Sequence, residues 1–124
     1  MGTSEFYRII DTLPEVLDSL VVDTGALGQE DRLWLFVVLD QGEALDEDLA
    51  ERIRALLKTR LSPRHSPDEI RQISAIPVTL SGKKLEVPIR RILTGTPLQQ
   101  AVNPGTLANP EALEALISIV KDST

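Results

Sequence analysis

The chain has 124 residues with 13 Lys+Arg against 19 Asp+Glu, a formal net charge of −6, and 42% hydrophobic and 26% charged residues. These figures describe one small globular domain with a core of its own and exclude a disordered, fibrous or multidomain chain. The acidic balance speaks against general nucleic-acid binding, zero cysteines exclude disulfides, thiolate zinc sites and cysteine nucleophiles, and a single histidine leaves little for imidazole ligation, so no metal site is expected.

The first predicted element is a short helix capped by Thr3 or Ser4, with Phe6, Ile9, Ile10 and Leu13 at helical spacing and Pro14 ending it. Two β-rich runs follow, Val16 to Val22 and Leu33 to Leu39, joined by a connection whose Gly25, Gly28 and charges read as exposed. The second run is apolar on both faces, which predicts a central strand with Trp34 and Phe36 packed together on one side. At seven residues, Leu33 to Leu39 is also the longest apolar run, far short of the ~18 residues of a membrane span. With no basic-then-apolar leader, the expectation is a cytoplasmic protein without a membrane partner. Asp46 caps the next helix, in which Leu49, Ile53, Leu56, Leu57 and Leu61 form an apolar stripe. SPRHSP is a stiff loop, DEIRQISAIPVTL a strand-like segment, SGKK a turn, KLEV a short strand, and PIRRIL a helix opened by Pro88 at its first position. Residues 94–109 read as a linker over the surface, and Asn109 caps a final helix with Leu113, Leu116, Ile117 and Val120 along one stripe. The whole is an α+β domain around a small three-stranded sheet with flanking helices.

Three constellations could carry chemistry. In PVTLSGKK, Gly82 permits a tight turn and a lysine beyond it can project an ammonium toward a phosphate or carboxylate. This is not a P-loop, because Pro77 stands where the first glycine is needed and Lys84 replaces the hydroxyl residue that would hold magnesium. An ordinary hairpin turn with solvated lysines is the competing reading. His65 with Ser62, Ser66 and Asp68 offers triad residue types, but all in one short loop, so packing is expected there. The acids of DEDLAE suit a helix N-terminus better than paired acid/base work.

Four segments in order, MGTSEFYR, LSPRHSPDEI, PVTLSGKK and PIRRIL, together resemble the C-terminal lid domain of the acyl-adenylate-forming superfamily of acyl-CoA synthetases. The resemblance covers residues 1–93, leaving 94–124 as a linker and a helix that packs on the lid. Pro77, Thr79, Ser81, Gly82 and Lys83 are similar to that family's lysine loop, and SPRHSPDEI, SGKKLEVP and LANPEAL resemble its acetoacetate-activating branch.

The resemblance implies an enzyme that uses ATP, with Mg2+ on the nucleotide, to adenylate acetoacetate and then replaces AMP with CoA. It assigns Lys83 to the substrate carboxylate and the α-phosphate, with Thr79, Ser81 and Gly82 shaping its loop, and places Gly2 and Glu5 just after the hinge. Lys58 matches a basic residue that touches a CoA phosphate, and Arg60, Arg64, Arg90 and Arg91 are further CoA candidates by charge. The implied partners are the enzyme's own N-terminal domain and a lysine acetyltransferase or deacetylase acting on Lys83. Two departures bear on these roles: Lys84 directly follows Lys83, so alignment decides which lysine enters the site, and Leu85 to Pro88 displaces the basic helix that carries Arg90 and Arg91. The family's large N-terminal domain is absent, so an excised lid, inactive alone, is expected. The lid of another short-chain acyl-CoA synthetase and a free-standing anion-binding module are the alternatives. Residues 52–91 hold ten Lys+Arg and three Asp+Glu, a local balance of +7 against −13 for the remainder, which predicts one basic face for ATP and CoA.

Overall fold

The computed structural model describes residues 3–24 and 32–122. β1 (Val16–Asp23) and β2 (Leu33–Leu39) pair antiparallel, with Val16 opposite Leu39 and Asp23 opposite Leu33. β3 (Glu69–Gln72) joins the other side of β2 in parallel, giving the order β1-β2-β3 with the all-apolar strand in the centre. A parallel neighbour needs a crossover, and α2 (Glu47–Arg60) supplies it. The Asp46 side chain accepts from the Leu49 N–H at 2.8 Å, so the predicted cap is present, and its acidic first turn and basic last turn complement the helix dipole.

Strand alternation divides the interior in two. Val21, Leu35 and Val37 meet Phe6, Ile9 and Ile10 of α1 (Thr3–Ile10) and Leu49, Ile53 and Leu57 of α2. On the opposite side, Leu20, Val22, Trp34 and Phe36 meet Ile89 of α3 (Glu86–Leu93) and Leu113 and Leu116 of α5 (Pro110–Asp122). Trp34 and Phe36 do stack there, ring centroids 5.9 Å apart and planes within 9°.

Several local expectations are corrected. Thr3 and Ser4 lie inside α1 and do not cap it. The third strand is four residues long: Ile73 N–H still bonds Val37 C=O, but β2 ends two residues on and Pro77 has no N–H to extend the ladder. KLEV forms no strand. Lys84 makes a single bridge to Val78, and α3 starts at Glu86, because Pro88 is tolerated in a first turn whose N–H groups need no helical partner. Leu85 to Pro88 is thus absorbed as the helix start. The stretch from 94 to 109 carries α4 (Leu98–Ala101) and a 3₁₀ turn (Pro104–Thr106), and it buries Ala101 and Leu107 in place of merely crossing the surface. No helix among the described residues is long and apolar enough to cross a membrane.

Candidate active-site loop

The loop over residues 77–84 begins at the buried Pro77 and closes through a bridge between Val78 and Lys84. Gly82 adopts φ +87°, the left-handed region that favours glycine, and its N–H donates to Thr79 C=O at 2.8 Å. The Thr79 hydroxyl ties the turn together: it accepts from the Lys83 N–H at 3.1 Å and lies 3.0 Å from Ser81 Oγ. Thr79 N–H in turn bonds Lys83 C=O at 2.9 Å. The threonine, serine and glycine flanking Lys83 therefore each contribute to one rigid turn.

A second support comes from far along the chain. Leu80 N–H bonds Thr106 C=O, Ala108 N–H bonds Val78 C=O, and Thr79 bridges Leu107. Asn109 does not use its side chain as a helix cap. Its amide accepts from Val78 N–H at 3.0 Å and donates to Ile76 C=O at 2.9 Å, clasping the loop's entry strand to the start of α5. An Asn-Pro pair before an amphipathic run looks like a cap, and nothing local marks this clasp.

The two lysines of SGKK have unlike surroundings. Lys83 is exposed, and its ammonium has no partner among the described residues. Lys84 is half-buried: its ammonium donates to Ser19 C=O at 2.7 Å, lies 3.3 Å from the Asp18 carboxylate and sits 3.7 Å from the centre of the Tyr7 ring. The Tyr7 hydroxyl donates to Glu86 Oε2 at 2.6 Å and accepts from Val21 N–H at 3.1 Å. Burial, and then the bond to Glu86, push the Tyr7 phenol well above its ordinary range, so it stays a donor.

The remaining candidates separate. Lys58 and Arg60 are exposed at the end of α2, and Arg64 is exposed in the 3₁₀ turn Pro63–His65, all on the α2 side of the sheet. Arg90 and Arg91 fall in the last turn of α3, on the other side. The basic stretch therefore does not form the one face expected from charge counting, because α2 and the 3₁₀ turn after it lie on one side of the sheet and α3 on the other. Arg91 is exposed, whereas Arg90 lines a pocket of about 190 Å³ with Thr3, Asp23 and Glu86 and has a buried Nε without a partner. Glu5 pairs loosely with Arg8 at 3.8 Å on the surface of α1, and Gly2 lies outside the described residues. Ser62 Oγ and His65 Nδ1 are 2.7 Å apart, but Asp68 accepts from Leu33 N–H instead of orienting the ring, so no relay forms. Among the described residues, no three His, Asp or Glu side chains gather as metal ligands.

Fold and loop together define a small α+β domain with one exposed lysine, Lys83, directly after a glycine turn. The chain belongs to the AMP-binding enzyme C-terminal domain family, whose family model matches residues 8–83. It is 40% identical over 113 residues to the acetoacetyl-CoA synthetase of Macaca fascicularis, covering 91% of this chain and 16% of that protein. Over 115 residues it is 37% identical to the acetoacetyl-coenzyme A synthetase of Rhizobium meliloti, with 92% of this chain and 17% of that protein covered. The solved acetoacetyl-CoA synthetase of Streptomyces lividans superposes with a TM-score of 0.87 at 40% identity, over 100% of this chain and 18% of that one. The chain thus spans about one sixth of the length of the relatives it matches.

Proposed function

We propose that this chain is the C-terminal lid of an acetoacetate:CoA ligase and that Lys83 is its adenylation lysine. The observation that carries the reading is the contrast at SGKK: Lys84 is held in the domain body, leaving Lys83 as the ammonium that can leave the surface. In the first half-reaction a carboxylate oxygen of acetoacetate attacks the α-phosphorus of ATP and pyrophosphate departs. Negative charge crowds at that centre, and a lysine delivered on a rigid turn offsets it without reorganisation at the moment of reaction. In the second, the CoA thiol displaces AMP from the acyl carbon, a step for which Lys83 is not needed. Lys58, Arg60 and Arg64, exposed across the sheet from α3, suit CoA phosphates presented to a different face of the lid. Mg2+ would come with the nucleotide, and the described residues gather no ligand set of their own for it. The enzyme's N-terminal domain is the lid's working partner, and the assembly is read as cytoplasmic.

Lys83→Ala in the intact enzyme is expected to slow acetoacetate-dependent pyrophosphate exchange about 100- to 1,000-fold, the scale set by loss of one preorganised electrostatic group. Thioester formation from preformed acetoacetyl-AMP should persist. Exchange at the normal rate would overturn the assignment. The exposure of Lys83 also suits it to reversible acetylation, which would remove its charge; mass spectrometry of the native protein tests whether the mark occurs on Lys83 and is missing from Lys84.

A further inference from the structure

We infer that Lys84 is a positioning residue, which bolts the C-terminal root of the lysine loop to the free edge of β1 and to α1. The inference deepens the reading of Lys83 above and rests on it. Among the described residues, β1 has a strand neighbour on one side only. Along its other edge, Ser19 and Val21, two residues apart, turn backbone groups outward. No strand among the described residues meets those groups. Ser19 N–H bonds Asp18 Oδ1 at 2.8 Å, Ser19 C=O accepts the Lys84 ammonium, and Val21 N–H donates to the Tyr7 hydroxyl.

Three attractions of different kinds hold the Lys84 ammonium: a carbonyl, a carboxylate and a ring face. Tyr7 holds the same short segment twice, taking Lys84 on its ring and Glu86 on its hydroxyl. Residues 84 and 86 therefore cannot slide along β1 without breaking contacts to α1 as well. Lys83 is the next residue back from this anchor, about 3.8 Å away by Cα spacing. The other leg of the loop is clasped by Asn109. With both legs fixed, the helix that follows the proposed hinge and the catalytic turn move as one body, and a rotation delivered at α1 reaches Lys83 without slack.

The test uses the intact enzyme and separates the two half-reactions. Lys84→Met is expected to lower kcat for adenylation about 100-fold, the cost of misplacing a reacting group by about 1 Å, with the KM for ATP little changed and the thioester half-reaction kept. Lys84→Arg should recover most of the loss, because a guanidinium keeps the charge, stacks on Tyr7 and can still donate to Ser19 and Asp18. Wild-type adenylation by Lys84→Met, an equal loss in both half-reactions, or no recovery with Lys84→Arg would each overturn the inference. Normal adenylation by Lys83→Ala would instead overturn the functional reading. The anchor is then judged by amide exchange at 81–83: faster exchange in Lys84→Met supports it, and unchanged exchange overturns it.

Discussion

On the α1/α2 side of the sheet, helices of regular period lay fully buried side chains such as Phe6, Ile53 and Leu57 on Leu35 and Val37. On the α3/α5 side, Trp34 and Phe36 are covered by two helices and by irregular segments that contribute Ile73, Ile76, Leu85 and Leu107. The first face is closed by two helices of regular period, whereas the irregular segments of the second are tied down by individual long-range hydrogen bonds such as those of Asn109. The candidate loop belongs to the second. A turn that must stand clear of the domain cannot be buried under a helix, so its stiffness comes from clasps at its base.

The comparison can be tested by removing one feature at a time. Phe36→Ala takes a fully buried ring out of the irregular face and is expected to cost about 3–5 kcal/mol, enough to unfold an isolated domain of this size; a urea midpoint close to wild type would contradict that packing. Asn109→Ala should cost about 1–3 kcal/mol, since it leaves Val78 N–H and Ile76 C=O without their clasp. Its signature is local: amide exchange should quicken at Val78 and stay unchanged in α2, and equal quickening on both faces would mean that they open as one unit. Asp46→Ala removes the α2 cap at about 1 kcal/mol, read as a small shift of the same midpoint, with exchange rising in the first turn of α2 and not in the loop.

What was legible from sequence follows the same division. The central strand was readable because Leu33–Leu39 is apolar at every position, and α2 because a capping aspartate precedes a long stripe. The glycine turn and the lysine after it were readable because the residues that make the turn are neighbours in the chain. Sequence chose Lys83 through the motif alone, as the lysine directly after Gly82; the unlike surroundings of Lys84 were hidden, since the carbonyl it donates to belongs to a residue 65 positions away and the tyrosine–glutamate bond spans 79. The role of Asn109 was hidden for the same reason, as its amide serves a segment more than 30 residues upstream. Charge counting misled in one respect: it summed a basic run along the chain, while successive elements sent Lys58, Arg60 and Arg64 to one side of the sheet and Arg90 and Arg91 to the other.

The clothed edge of β1 has a consequence for how the domain behaves among its neighbours. An outer strand with open N–H and C=O groups is a template on which another chain can add a strand, the usual start of edge-to-edge aggregation. Here the outward C=O and N–H of Ser19 are engaged by Lys84 and Asp18, and the outward N–H of Val21 by Tyr7. With those groups taken and a carboxylate and an ammonium beside them, the middle of this edge is a poor template for a strand of the next copy.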